Sequence, residues 1–553
     1  MTPALARRGR LIVMTGALFA VVGALLASPP LVSMGGLVLA AMTTAYVAFF
    51  PAAVLLRRRK IEMRWWVPGG ERPGEAIAAG TSFSIAMTIR NRGYRPLRVR
   101  ALDVIASSAI EPPPALEAEA PPGREIELRA RARARAAGYQ VLHGAVLAFG
   151  DALGLFEARA YFPNPIEIEV VPSGSSAHAA NILAVPIGRA RDKAGAHRSR
   201  SRGVAGDVRE LREHQRGDPF KMIAWKATAR RGQLMVRDLE TDIVHTHHIL
   251  VDVAGPLRVG EPGRRPLDGA LDGAAMLAKL ALARGDRVGL TLFSTRVVAS
   301  VAPASGAAHY RKIQGALLDA ARPFREEEVA LSQAELVAAV ARYLAYQETA
   351  DVRLRRAPAP GDPAWNHIVA GPGGELFDLA QMARTASGLV DAMAARRRRA
   401  GRPARSQGEV PPAAVDMRVE ALRQLCRFRG IELPPRQDGE PGVRATALAD
   451  ASQRASSPMP DSLTLFSDLG CVLDDPERGL AFLGRARRAG RRVAVLAPSA
   501  AWSEDDAQGD PARGRVVQAL DRDFSLRTVE ARRALAARGI SLFQLAEGGA
   551  RSH

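Results

Sequence analysis

Two aspartates stand at the ends of apolar runs: "IVHTHHILVDVAG" carries Asp252, and "SLTLFSDLG" carries Ser467 and Asp468. Carboxylate and hydroxyl oxygens are the hard ligands that Mg²⁺ takes in octahedral array. If the fold brings these strand ends together, they form the first candidate site. In the same run His245 and His247 fall at alternate positions, facing one side of a strand, and imidazole pairs of that kind can hold zinc. No Cys or further His lies at a suitable local spacing, so the pair reads as a polar stripe on an outer strand. A third group is "HQRGDPFKMIAWKATAR", His214 to Arg230. Asp218 can cap a helix, Pro219 suits its first position, and Phe220, Ile223 and Ala227 recur at helical spacing. Arg230 and Arg231 favour the negative helix end and Gly232 can stop it. The expectation is one short capped helix presenting Lys226, Arg230 and Arg231 at its end, with Trp225 packed against the sheet if the block is a purely structural clasp.

The elements that must position these residues follow from periodicity. From residue 241 onward apolar strands alternate with helical stretches: "DRVGLTLFS", "SLTLFSDLG", "RRVAVLAPS" and "ISLFQLA" are the strands that follow the Asp252 run. Such alternation predicts a parallel sheet covered on both faces, with ligands outside the carboxyl ends of its strands. Asp252 and Asp468 belong at that end. A Pro/Gly/Arg-rich segment, with helices at 376–396 and 414–428, interrupts the pattern and reads as an insertion.

The chain begins differently. Residues 11–27 and 31–56 hold no charged residue, and each is close to the roughly 20 apolar residues a membrane-spanning helix requires. Arg7, Arg8 and Arg10 precede the first and Arg57 to Lys60 follow the second, so the positive-inside rule places both outer flanks, and everything after residue 60, in the cytoplasm. A cleaved signal peptide ending near Ala27 is the competing reading. Between 61 and 172, "TSFSIAMTIRNRG", "PLRVRALDVIA", "REIELRARARA" and "IEIEVVP" alternate apolar and polar residues, the pattern of a β-sandwich.

The resulting division is 1–60, two transmembrane helices; 61–172, an immunoglobulin-like sandwich; 173–205, a basic linker; 206–240, the block around Trp225; 241–346 and 459–553, two parts of one α/β domain; and 347–458, the insertion. Composition agrees with a multidomain chain: 553 residues, 47% apolar and 24% charged. The net charge of +20 points toward anionic partners, but only six of the 77 cationic residues are Lys and the Arg is scattered through Ala-rich sequence. Nucleic-acid binding is therefore disfavoured, having neither clustered aromatics nor zinc spacing to support it. Cys426 and Cys471 cannot build a disulfide framework.

The order of these parts, with the block "GDVRELREHQRGDPFKMIAWKATARRGQLMVRDLE" from Gly206 to Glu240, resembles the bacterial domain of unknown function 58 family. The family block reads Gly, Arg, an aromatic, Gly-Asp, Arg, Ile, Asp-Trp and Ala-Arg. This chain keeps Gly206, Arg212, Gly217, Asp218, Ile223, Trp225, Ala229 and Arg230, with His214 at the aromatic, Lys221 at the Arg and Ala224 at the Asp. The resemblance implies a doubly wound von Willebrand factor A-like domain. It also implies a MoxR-type AAA+ ATPase as partner, and an inner (plasma) membrane location with the soluble domains facing the cytoplasm. Arg212, Gly217, Asp218, Trp225, Lys226 and Arg230 are the signature positions expected to bind that partner or hold the fold.

A working A-domain metal site takes Asp-x-Ser-x-Ser from its first loop. Here that loop reads Asp252-Val253-Ala254-Gly255-Pro256, so both serines are missing and only Asp252, Ser467 and Asp468 remain as a degenerate Mg²⁺ candidate. No cofactor is expected; Asp252 and Asp468 are expected to cap helices or meet a partner's cation. No Gly-x-Ser-x-Gly elbow, His-Glu-x-x-His helix or phosphate-cradling loop is present, so the leading expectation is a non-enzymatic interaction or assembly protein. The alternatives are an anionic-lipid or nucleic-acid binder and a hydrolase of unnamed chemistry.

Overall fold

The computed structural model describes residues 4–56, 61–68, 77–93, 97–150, 153–173, 198–216, 218–242, 244–323, 328–348, 350–399, 416–436, 442–455, 459–498 and 511–545. The chain forms two compact units. One comprises Met1–Val171, Glu261–Gly263 and Arg322–Arg436; the other comprises Pro172–Gly260, Arg264–Ala321 and Gln437–His553.

The first unit opens with helices Arg7–Leu25 and Pro29–Leu56, both long and apolar enough to cross a membrane. Their contact seam is made of glycine, which lets the two backbones approach closely. A Cβ at Gly16 would lie 2.8 Å from Val38 Cγ1, and one at Gly35 would lie 2.6 Å from the Ala20 nitrogen. Leu11, Met14, Leu18, Val21 and Leu25 face outward.

Two sheets follow. One orders Ala4–Leu5, Phe156–Val171, Gly138–Gly150, Leu97–Ala106 and Ala118–Ala120, with Ile77–Ala78 also paired to Phe156–Val171; the other orders Ile61–Trp66, Ser82–Asn91, Glu125–Ala134 and Ile110–Glu111. Strand alternation separates the faces: Ala130, Ala132 and Ala134 are buried, while Arg129 and Arg133 are exposed. Ile85, Met87, Ile89, Leu102, Leu142, Leu147 and Phe149 from both sheets fill one core.

The same unit contains helices Gln333–Gln347, Leu379–Arg399 and Met417–Arg429, packed around Val337, Leu344, Met382, Leu422 and Leu425. Buried polar groups tie them to strand Gly138–Gly150: Arg322 donates to the Gln140 side chain and to the Gly430 carbonyl, and Arg429 pairs with Glu348 at 2.8 Å. His143 lies in this network. Burial first, then the charges of Arg429 and Arg322, push its pKa down to about 4. The expected insertion at 347–458 is thus redrawn. The grouping boundaries fall at Arg322 and Arg436, and helix Gln333–Gln347 leaves the α/β part to which 241–346 had assigned it.

The second unit is built on a six-stranded sheet in the order Val297–Ala304, Arg287–Phe293, Thr246–Asp252, Ser462–Phe466, Arg492–Pro498, Ser541–Leu545. Five strands are parallel, and the edge strand Val297–Ala304 pairs antiparallel, a departure from the all-parallel expectation. The hairpin residues Ser294 to Arg296 are too few for a crossover, so the returning strand must run antiparallel. Helices Pro266–Ala283 and Ala307–Ala320 cover one face through Leu271, Ala274, Ala278, Ile313 and Leu317. Helices Val443–Arg454, Pro476–Arg488 and Pro511–Ala536 cover the other through Leu448, Ala451, Leu480, Leu483 and Leu535.

A two-stranded hairpin, Arg198–Glu213 with Met235–Asp242, belongs to this unit. It replaces the linker expected through 205; residues 174–197 lie outside the described residues.

Candidate functional site

The central strand Thr246–Asp252 alternates its side chains, Ile249 and Val251 entering the core on one face and Leu250 the core on the other. Asp252 shares the face of Leu250, toward helix Val443–Arg454. Its neighbour strand Ser462–Phe466 ends one residue before Ser467 and Asp468. The sheet therefore does bring Asp252, Ser467 and Asp468 together. All three are buried, with Asp252 0% and Asp468 7% exposed.

A cation from this chain already sits between the two carboxylates. Arg444 Nη2 donates to Asp252 Oδ2 at 2.5 Å and also to Asp468 Oδ1, while its Nη1 donates to Asp468 Oδ2 at 3.3 Å. Ser467 Oγ donates to Asp252 Oδ2 at 2.9 Å and receives the Leu469 N–H at 3.0 Å; Cys471 Sγ lies 3.1 Å from the same hydroxyl. Backbone N–H groups of Ala254 and Gly470 donate to Asp252 Oδ1 and Asp468 Oδ1 at 3.0 and 3.1 Å. The turn holding Asp468 is strained at Leu469, a non-glycine residue with φ 74°.

Burial is the largest influence on Asp252 and raises its pKa, with the Asp468 charge adding to that against the pull of Arg444. Burial also raises Asp468, but Arg444, the Gly470 N–H and Arg527 outweigh it and hold the group below the usual carboxylate range. Burial lowers Arg444, yet the two aspartates keep it well above its ordinary value.

The residues present do not suit a divalent cation. The oxygens that would ligate it are occupied by Arg444, Ser467 and backbone N–H groups. Asp468 takes the first N–H of the short helix Gly470–Leu473, as a capping role requires, and the cation that both aspartates meet here is the chain's own Arg444. Arg444 was missed because Val443–Arg454 was not recognised as a helix, although Val443, Ala447, Leu448 and Ala451 recur at helical spacing after Gly442.

The histidine pair lies at the other end of the same strand. His247 Nδ1 is 2.5 Å from Ser462 Oγ and its Nε2 3.1 Å from Asp286 Oδ2, while His245 Nδ1 is 3.7 Å from Asp461. Among the described residues, no group of three or more His, Cys, Asp or Glu is placed to hold a metal ion. His248, facing the other way, is buried; that burial pushes its pKa down to about 4, and its Nε2 meets Thr291 Oγ1 at 2.9 Å.

The block around Trp225 differs from the single capped helix read from its sequence. A short 3-10 turn, Phe220–Met222, precedes helix Trp225–Arg231, and both are carried by the loop of the hairpin. Asp218 caps neither. It accepts a two-pronged pair from Arg212 at 2.7 and 2.6 Å and the Gln215 N–H at 2.8 Å, and the Arg212 bonds first, then Gln215, hold its pKa well below the usual range. Gly217, between them, lies outside the described residues. Gly232 does end the helix, at φ 69°.

Ile223, Ala224, Met235 and Val236 are buried together, and the Ala224 N–H reaches the Met235 carbonyl at 2.8 Å. This packing uses the inner face of the block and leaves its large aromatics outside. Trp225 is 63% and Phe220 79% exposed, so Trp225 does not pack inward as the structural-clasp reading required. Lys221, Lys226, Arg230 and Arg231 are exposed in the same block, and none makes an ion pair among the described residues.

Residues 210–346 match the family described as "Protein of unknown function DUF58". No curated protein matches the chain. Among solved structures, native alpha-2-macroglobulin from Escherichia coli, from domain MG7 to the C-terminus, is 20% identical with a TM-score of 0.16, covering 20% of this chain and 16% of that one. A FixG-related protein from Vibrio parahaemolyticus is 11% identical with a TM-score of 0.13, covering 19% of this chain and 96% of that one. At these scores neither likeness bears on fold or function.

Proposed function

From this DUF58 membership we propose that the chain is a membrane-anchored, non-enzymatic docking protein. The exposed Phe220–Arg231 block meets an acidic face of a partner, and the partner is a MoxR-type AAA+ ATPase. The single observation that carries this reading is the pairing of two exposed aromatics with four exposed cations that make no ion pair among the described residues. Burying such a surface needs a partner that supplies apolar contact and negative charge together, and Trp and Arg are the residue types that dominate interface energetics. The strand order of the second unit, with its antiparallel edge, supports a von Willebrand factor A-like scaffold beneath the block. The two apolar N-terminal helices support anchoring, and their basic flanks support a cytoplasmic orientation.

The test is binding of the purified MoxR-type ATPase of the same organism to the full-length protein in detergent. Arg230→Glu is expected to weaken binding without lowering the melting temperature, and unchanged affinity would count against the reading. The same cations and aromatics also suit an anionic membrane surface. Vesicles of anionic lipid that bind the wild-type protein as tightly as the ATPase does would favour that second reading.

A further inference from the structure

We propose that Arg444 is the resident cation of the sheet-top site, supplied by the chain itself where a divalent ion would otherwise neutralise Asp252 and Asp468. Charge balance is the first reason. Two buried carboxylates face one buried guanidinium, with Arg527 Nη1 3.9 Å from Asp468 at the rim. A divalent ion added to this set would leave an uncompensated positive excess in a buried site, so the site holds either Arg444 or a metal.

Shape is the second. A Cβ at residue 470 would collide with the Arg444 guanidinium, which is pinned between two carboxylates and cannot swing aside; glycine there makes its room. Position is the third. Arg444 occupies the first turn of helix Val443–Arg454, where the helix dipole disfavours a cation, so its placement is explained by the two aspartates and not by the helix. The helix is fixed independently by Ala447, Leu448 and Ala451 in the core, which aims the side chain at the strand ends. This inference does not depend on the identity of any partner.

Its test is Mn²⁺ binding to full-length protein in detergent, by electron paramagnetic resonance and thermal melting. Wild type is expected to show no Asp252-dependent Mn²⁺ site and the same melting temperature in Mn²⁺ as in chelator. Arg444→Ser is expected to melt about 10 °C lower in chelator. It should recover saturably with Mn²⁺, and lose that recovery when Asp468→Asn is added. Arg444→Lys, which keeps a cation, is expected to fold and to ignore Mn²⁺. A wild-type Mn²⁺ site abolished by Asp252→Asn would overturn the proposal even if Arg444→Ser fails to fold. So would an Arg444→Ser protein as stable in chelator as the wild type.

Discussion

The sheet top and the Trp225 block are both rich in charge, and they treat it oppositely. At the sheet top, Asp252 and Asp468 meet Arg444 in the interior, and hydroxyl and backbone donors take up the remaining oxygens. In the block, Asp218 is consumed by Arg212, and Lys221, Lys226, Arg230 and Arg231 stay at the surface beside Phe220 and Trp225. A charge already satisfied inside the fold contributes to stability and has little left to offer a ligand. A charge without an internal partner contributes little to stability and remains available for recognition. Under the proposed docking role, the contrast puts the binding surface at the block and away from the strand ends, where sheet geometry alone would put it.

The largest effect expected from breaking this contrast is at the sheet top. Asp252→Lys would bury a second cation against Arg444 and is expected to cost about 5 kcal/mol or more, enough to unfold the second unit, as read by chemical denaturation. A variant that unfolds at the wild-type midpoint would show the pair to be solvent-screened.

Acid comes next. His248 shares the strand of Asp252, and burial pushes its folded pKa down to about 4, below the ordinary value of 6.5. The unfolded chain binds the proton first, so stability is fully present above pH 6.5 and falls as the pH drops toward 4. The loss is on the order of 2–3 kcal/mol. His143 in the first unit, also at about 4, carries the same sign. His248→Gln should flatten the window for the second unit only, and an unchanged pH profile of its unfolding would remove His248 as the cause.

The block itself should separate the two properties. Phe220→Ala with Trp225→Ala is expected to weaken ATPase binding about 30-fold, the loss typical of a hot spot. Its stability should stay within about 0.5 kcal/mol of the parent, because neither ring is buried. A large drop in melting temperature would instead mean that the rings pack on something.

Much of this was legible in the sequence and some was not, for identifiable reasons. The strands ending at Asp252 and beside Ser467 are short, apolar and β-branched or aromatic, so their ends could be aligned from pattern alone. The hydrophobic length of the two N-terminal helices was equally plain. Arg444 was hidden because it lies 192 positions from Asp252, in Ala- and Arg-rich sequence where no spacing marks one arginine out. The exposure of Trp225 was hidden because Phe220, Ile223 and Ala227 fit a helical stripe. The chain instead breaks at Ile223 and Ala224, which turn inward against Met235 and Val236 and leave the rings on the other side. The edge strand Val297–Ala304 was missed because it follows its neighbour through a tight turn, where a parallel sheet would need a crossover.

The most direct test of the docking claim is hydrogen exchange on the full-length protein in detergent, with and without the purified MoxR-type ATPase. Protection on binding is predicted across residues 218–235, with residues 252–256 and 467–471 unchanged. Protection at those strand ends with the block unaffected would contradict it.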